Sequence, residues 1–347
     1  MKTITLILMI LLSIPYACVA GDMQSVVFAT SVASGAELHN ALILTESIRT
    51  FGGQVKDAPV WIYGSAGFLK TQKDLVRKLV SLKAQVKPSD APSVASNVPF
   101  ALTVFAAASA ERDASGAAKI LVWMGNDSVV LNDPGELLLA EGKSLGYRPV
   151  AHQNIGSLFS EAPDAFWRRL YEKLAVSEAA MFPMKTVADG RTLRPYFAAG
   201  LVVVRPERGI MKHWAESFSA LCADPAIVEM CAKDSRTNTF LHQAALTGAI
   251  LNLLKKDEMA ELSDRYNYPV FFKEMYGGDK EFGTIDGVAT MSYDIYFENP
   301  GPNWATKLKG PAATVSWLKE RLGVGKGGAP SSPTKMRYRF QHGEKKH

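Results

Sequence analysis

The residues best placed to do chemistry form a turn, Gly125-Asn126-Asp127, set between two apolar runs in K-I-L-V-W-M-G-N-D-S-V-V-L-N-D-P (residues 119–134). One carboxylate with a polar and a flexible neighbour suits a metal-assisted site, because Mg²⁺ and Mn²⁺ take oxygen ligands and need only one or two carboxylates beside substrate phosphates. The plainer reading is an Asn-Asp turn between two strands. Asp133 follows closely, on the far side of the second run. Arg191, Arg194 and Arg205 flank residues 195–206 and would suit a phosphate without a metal, since a guanidinium forks onto phosphate oxygens. As scattered cations they also read as surface charge. His242-Gln243 lies on an apolar helix, where a histidine is either a satisfied core residue or a group turned to a cleft.

These residues depend on the elements that carry them. Residues 120–124 form an apolar run long enough for a buried strand and too short for a buried helix. In an open α/β sheet, ligands sit beyond the carboxyl ends of the strands, which is where Asp127 falls. The chain opens with S-V-V-F-A-T (25–30), a first strand ending in Thr30. A helix over 37–51 follows, closed by Gly52-Gly53, and then P-V-W-I-Y (59–63) as a second strand. Strand, helix and strand make a βαβ unit and the start of a parallel sheet. No Gly-x-Gly-x-x-Gly or Walker lysine loop is present, which excludes the usual dinucleotide and P-loop sites.

Further along, the pattern predicts a helix over 72–80, a brief strand over 84–86 and a loop over 87–98. An Ala-rich helix over 99–110 leads back to the central strand. Short strands are expected over 137–139 and 148–151, and an amphipathic helix over 165–174 with Asp164 as its N-cap. Residues 201–204 read as a buried strand, with Gly200 marking a close backbone approach or a bulge. Helices over 209–221 and 237–250, a last strand over 288–293 and a closing helix over 305–322 complete the domain.

The 347 residues are 47% hydrophobic and 21% charged, an ordinary globular composition. The net charge of +5 is scattered outside the C-terminal residues. No basic stripe with interleaved aromatics appears, so a nucleic-acid partner is not expected. Residues 1–20 pair Lys2 with an apolar run and small residues near Ala20, the pattern of a cleaved secretory signal. A periplasmic or secreted protein is therefore expected, membrane-anchored if the signal is retained, with no transmembrane segment after its removal. Residues 21–322 read as one α/β domain and 323–347 as a disordered basic tail. Export would leave Cys222 and Cys231, which are expected to form a disulfide; the alternative is two buried free thiols.

Taken together, strand, acidic turn, Val/Leu run and Asp-Pro resemble the Asp-x-Asp segment of GT-A nucleotide-diphospho-sugar glycosyltransferases, with Gly125 in the first Asp position. The resemblance implies a three-layer α/β/α fold with a mostly parallel mixed sheet, Rossmann-like in the GT-A manner. It implies Thr30, Asn126 and Asp127 as nucleotide contacts, with Asp127 as the metal ligand for Mn²⁺ or Mg²⁺. P-Y-F-A-A-G-L-V-V-V-R-P (195–206) is similar to the family's aromatic–Asn-x-Gly strand, with Ala198 in the Asn position and Ala199 and Gly200 bordering the sugar and acceptor pocket. His242-Gln243 stands where the family carries a catalytic Asp-Gln, and R-Y-N-Y-P (265–269) brings Asn267 to the acceptor side. The family's later His ligand has no clear equivalent across residues 293–304. The implied function is exported transfer of a sugar from a sugar nucleotide. The alternative is an inactive module that binds a glycan, nucleotide or protein.

Overall fold

The computed structural model describes residues 25–270, 284–293 and 308–322 of the chain. The expected signal and basic tail lie outside the described residues, as does the start of the expected closing helix.

A seven-stranded mixed sheet organises the molecule. In chain order its strands are β1 (Val27–Ser31), β2 (Val60–Gly64), β3 (Ala84–Pro88), β4 (Leu121–Met124), β6 (Leu145–Pro149), β9 (Phe197–Val204) and β10 (Met259–Glu261). Their order across the sheet is β10-β6-β9-β4-β1-β2-β3, which places β4 in the middle. β1 pairs in parallel with β2 and β4, and β6 in parallel with β10, whereas β9 runs antiparallel to both β4 and β6. The carboxyl ends of β1, β4 and β6 and the beginning of β9 therefore meet at one edge. A second sheet joins β5 (Ser128–Val130), β11 (Tyr268–Pro269) and β12 (Thr290–Ser292) beside that edge. A short antiparallel pair, β7 (Met184–Lys185) with β8 (Thr192–Leu193), precedes β9 in the chain.

Helices cover both faces, giving the expected three layers. On one face α1 (Gly35–Phe51), α2 (Ala66–Thr71) and α3 (Lys73–Ser81) pack over Phe28, Ile62, Val122 and Met124. On the other, α4 (Ala101–Ala114), α5 (Ala165–Lys173), α6 (Ile210–Cys222) and α8 (Ser235–Leu253) enclose Ala29, Trp61, Trp123 and Val202. The alternation along each strand sends successive residues to opposite cores. Local chemistry sets the helix starts. Asp164 accepts the Trp167 amide at 2.9 Å at the head of α5, as expected, a cap worth about 1 kcal/mol. The head of α6 has no cap of its own. Glu111, buried on α4, supplies one by accepting the Met211 and Lys212 amides at 3.0 and 2.8 Å.

The structure departs from the pattern at several places. Residues 137–139 are not a strand: a 3-10 turn, Gly135–Leu137, buries Leu137 and mimics strand alternation. The strand expected at 148–151 is β6, which begins earlier. Its Gly146 is hidden from an apolar reading because a side chain there would meet Leu139 and Val203. Gly200 falls where β9 shifts register against β6, between the Tyr147–Val202 and Pro149–Phe197 pairs, as expected of a bulge; its carbonyl accepts the Gly125 amide at 2.9 Å and it faces Asn267. Among the described residues the closing helix spans Ala312–Leu322, because Lys309 first pairs with Thr284 in an isolated bridge. Cys222 and Cys231 are free thiols in the structure, against the expected disulfide. They sit on α6 and on α7 (Pro225–Lys233), and burial pushes both up to about 11. A thiol held protonated in this way is a poor partner for oxidation.

Candidate functional site

A cleft of about 530 Å³ opens at the edge where the carboxyl ends of β1, β4 and β6 meet the start of β9. Its size is typical of small-molecule sites. The eight site residues that the resemblance implied all line it: Thr30, Asn126, Asp127, Ala199, Gly200, His242, Gln243 and Asn267. Their convergence follows from topology, because three strand ends, one strand start and α8 share one edge.

The central turn is held from several sides. Asn126 Nδ2 donates to the Ser31 carbonyl at 2.9 Å, tying the end of β4 to the end of β1. The Tyr293 amide donates to the Asp127 carbonyl at 3.0 Å, and the Ser128 amide to the Gly125 carbonyl at 3.2 Å. The backbone at Asp127 is thus fixed, and its carboxylate turns back over Gly125. A β-carbon built at Gly125 would lie 2.6 Å from Asp127 Oδ1.

β9 begins where β4 has ended, so its first amides need other acceptors. α8 provides them. Thr247 Oγ1 accepts from the Phe197 amide at 3.3 Å, and Gln243 Oε1 from the Ala199 amide at 3.1 Å. With its oxygen engaged, Gln243 keeps its side-chain NH₂ for a ligand. His242 is held by a contact of Nδ1 with the Thr239 carbonyl at 2.9 Å, while its own carbonyl accepts from Trp214 Nε1 at 2.7 Å. A carbonyl only accepts, so Nδ1 carries the proton and Nε2 is the ring's acceptor. Burial pushes the imidazole down to about 4, so it is neutral at physiological pH. Phe100 stacks on it with ring centroids 4.3 Å apart. Phe100 is itself unusual, a bulky residue at φ +63° that leaves its ring partly exposed at the head of α4.

Thr30 and Trp123 line the cleft, and among the described residues their buried Oγ1 and Nε1 atoms have no hydrogen-bond partner, on residues each 1% exposed. Such orphans are rare in folded proteins. The arginines expected as phosphate ligands are elsewhere. Arg205 donates to the carbonyls of Leu139, Ala140 and Lys143, and Arg194 pairs with Glu178 at 2.8 Å. Arg191 is exposed, and no Lys or Arg appears among the described residues lining the cleft. Asp133 faces away, toward the Gln54 amide.

His152 and Asn154, which the sequence pattern does not single out, line the cleft just past the end of β6. Their segment is braced by the Ala188 amide on the Ala151 carbonyl at 2.8 Å and by the Gln153 amide on Asp189 at 2.9 Å. The rule that pointed to Asp127, ligands beyond carboxyl ends, points equally to these two.

A family model described as "Rhodobacterales glycosyltransferase domain" matches residues 29–253 of the 347. The chain belongs to this glycosyltransferase family. The match takes in the turn at Asp127, the start of β9 and His242-Gln243, and stops short of Asn267. No curated protein matches the sequence. Among solved structures, mouse xyloside xylosyltransferase 1 is similar at 12% identity and a TM-score of 0.43, over 78% of this chain and 96% of its own. The galactosyltransferase LgtC, solved with donor and acceptor sugar analogs, is similar at 13% identity and 0.45, over 90% and 99%. Core-mannan synthase A of Aspergillus fumigatus, in an Mn/GDP form, is similar at 10% and 0.41, over 70% and 77%. The resemblance read from the sequence thus stands at the level of the family. Among the described residues no helix is long and apolar enough to cross a membrane.

Proposed function

We propose that this glycosyltransferase-family chain is exported and transfers a sugar from a nucleotide-diphospho-sugar to an acceptor within the cleft. The observation that carries the reading is the placement of Asp127: a carboxylate at the end of the central strand, sharing one cleft with Gln243, His242 and Asn267.

The donor set fits a divalent cation that arrives with its substrate. Among the described residues no group of three or more His, Cys, Asp or Glu side chains forms a metal cluster. Asp127 alone supplies one carboxylate, and Mg²⁺ or Mn²⁺ completes such a site with phosphate oxygens and water. Held there with the diphosphate, the ion would neutralise charge on the leaving group. The chain's own residues do the rest. The Gln243 NH₂ donates to a sugar hydroxyl, and neutral His242 offers Nε2 as an acceptor. The Phe100 ring gives a sugar's apolar face a surface, and Asn267 borders the acceptor side.

A second reading, an inactive module that binds a glycan, nucleotide or protein, draws on one observation. Gly125 stands where the first carboxylate of the motif belongs, and Asp127 occupies the space such a side chain would need. Turnover separates the two. A panel of sugar nucleotides incubated with Mn²⁺ should release nucleoside diphosphate, faster with a suitable acceptor. Tight nucleotide binding with no release from any donor would favour the module.

A further inference from the structure

Asn267 reaches the cleft from residues 262–267, which join β10 of the large sheet to β11 of the small one. Its backbone is left-handed, at φ +48°. Its side chain lies over Gly200, where a β-carbon would stand 3.5 Å from Asn267 Oδ1. Asparagine tolerates this backbone better than most residues, yet the conformation persists only where neighbours hold it. On the exit side β12 does so. The Asn267 amide donates to Thr290 Oγ1 at 2.8 Å, and the Arg265 carbonyl accepts the Ala289 amide at 2.8 Å.

On the entry side the hold comes from Glu136, on the 3-10 turn Gly135–Leu137. One carboxylate oxygen accepts the Ser263 amide at 2.9 Å and the other the Ser263 hydroxyl at 2.7 Å. The Glu136 amide donates in turn to the phenolic oxygen of buried Tyr266 at 2.9 Å. Within the second turn the Tyr266 amide donates to the Ser263 carbonyl at 3.0 Å. These bonds strap one turn to the other and end one residue before Asn267. Glu136 is exposed and does not line the cleft, so solvent would serve its charge equally well. What the strap adds is geometry. β5 leads from Asp127 toward Glu136, and β12 pairs with both β5 and β11. The strap therefore closes a frame that sets Asn267 relative to the carboxylate of Asp127.

We propose that Glu136 is a positioning residue, fixing the Asn267 side chain in the cleft through Ser263 and Tyr266. That Asn267 then meets an acceptor sugar rests on the transferase reading; the strap itself does not.

Spectra of protein labelled with nitrogen-15 at asparagine test the strap. The Asn267 side-chain signal is the one lost in Asn267→Gly, because glycine adopts φ +48° without strain. Glu136→Ala should move and broaden that signal. Ser263→Ala, which deletes one bond of the strap, should move it the same way by less, and decides the matter if Glu136→Ala unfolds. Glu136→Gln should restore it, since the amide oxygen can take the Ser263 amide while the NH₂ donates to the hydroxyl. A signal unchanged in Glu136→Ala and Ser263→Ala would overturn the proposal. The consequence is read from UDP release, with UDP-galactose, UDP-glucose or UDP-xylose as donor and free galactose, glucose or xylose as acceptor. For a pair that the parent turns over, Glu136→Ala should raise the acceptor KM severalfold with kcat little changed. In the Asn267→Gly background the same change should add nothing; an undiminished effect there would also overturn the proposal. If the signal follows the expected pattern while no pair turns over, the strap stands and the transferase reading falls.

Discussion

The carboxylate of Asp127 stands 2.6 Å from the point where a β-carbon on Gly125 would sit. The glycine in the first motif position is therefore matched to its neighbour's conformation, because Asp127 folds into the space that the missing side chain vacates. Gly125→Ala should push the Asp127 carboxylate aside while leaving the strand intact. A loss of about 1 kcal/mol in stability is expected, with a clear fall in Mn²⁺-dependent UDP binding. Calorimetry on parent and variant checks both; unchanged metal dependence would mean that the orientation of Asp127 does not matter.

His242 and Glu111 should give opposite pH responses. Burial lowers the His242 imidazole to about 4 against an ordinary 6.5, so the unfolded chain takes up the proton first. Its contribution is complete above pH 6.5 and lost as pH falls through about 4. The gap between folded and unfolded values corresponds to about 3 kcal/mol of stability. In denaturant melts, His242→Asn should flatten the acid limb of stability; an unchanged limb would place the loss elsewhere.

Burial raises the Glu111 carboxyl to about 7, against the lowering effect of the Met211 and Lys212 amides. The native state keeps this proton longer, so the contribution is complete below 4.5 and lost as pH rises through about 7. Glu111→Ala would leave the buried Met211 amide and the partly exposed Lys212 amide at the head of α6 without this acceptor, a cost of about 1–3 kcal/mol. Its stability should also stop declining between about pH 5 and 8. A variant as stable as the parent would mean that another group caps α6.

Cys222 and Cys231 should remain thiols in purified protein. Denatured without reductant, the chain should add one alkyl group at each, whereas the folded chain should react slowly near neutral pH because burial disfavours both thiolates. Mass spectrometry showing that the denatured chain is alkylated at these sites only after reduction would contradict this.

Much of the architecture was legible because its signals are local. β1, α1 and β2 are bounded by an apolar run, a helical period and Gly52-Gly53, and β4 reads as central because it is apolar throughout. β6 was harder to place: L-G-Y-R-P lacks an apolar run, and its burial comes from neighbours that arrive later in the chain. The turn at Gly135 imitated a strand because a short 3-10 helix can bury alternate leucines. The eight candidate residues converge on the cleft, yet what each touches was not legible. Asn126 spends its amide on Ser31, Gln243 spends its oxygen on Ala199, and the three arginines serve backbone carbonyls, Glu178 or solvent. His152, Asn154 and the head of α4 were missed for a common reason: polar or apolar alone, they carry no motif until the strand ends are assembled.

The role of Asp127 is tested most directly by titrating UDP into the parent and Asp127→Asn, with and without Mn²⁺. Mn²⁺ should tighten UDP binding to the parent, and the variant should melt within about 1 kcal/mol of it. The variant should lose the Mn²⁺ effect while keeping metal-free binding. If Asp127→Asn binds UDP with Mn²⁺ as tightly as the parent does, or fails to fold, Asp127 is a turn residue and the proposed sugar transfer loses its main support.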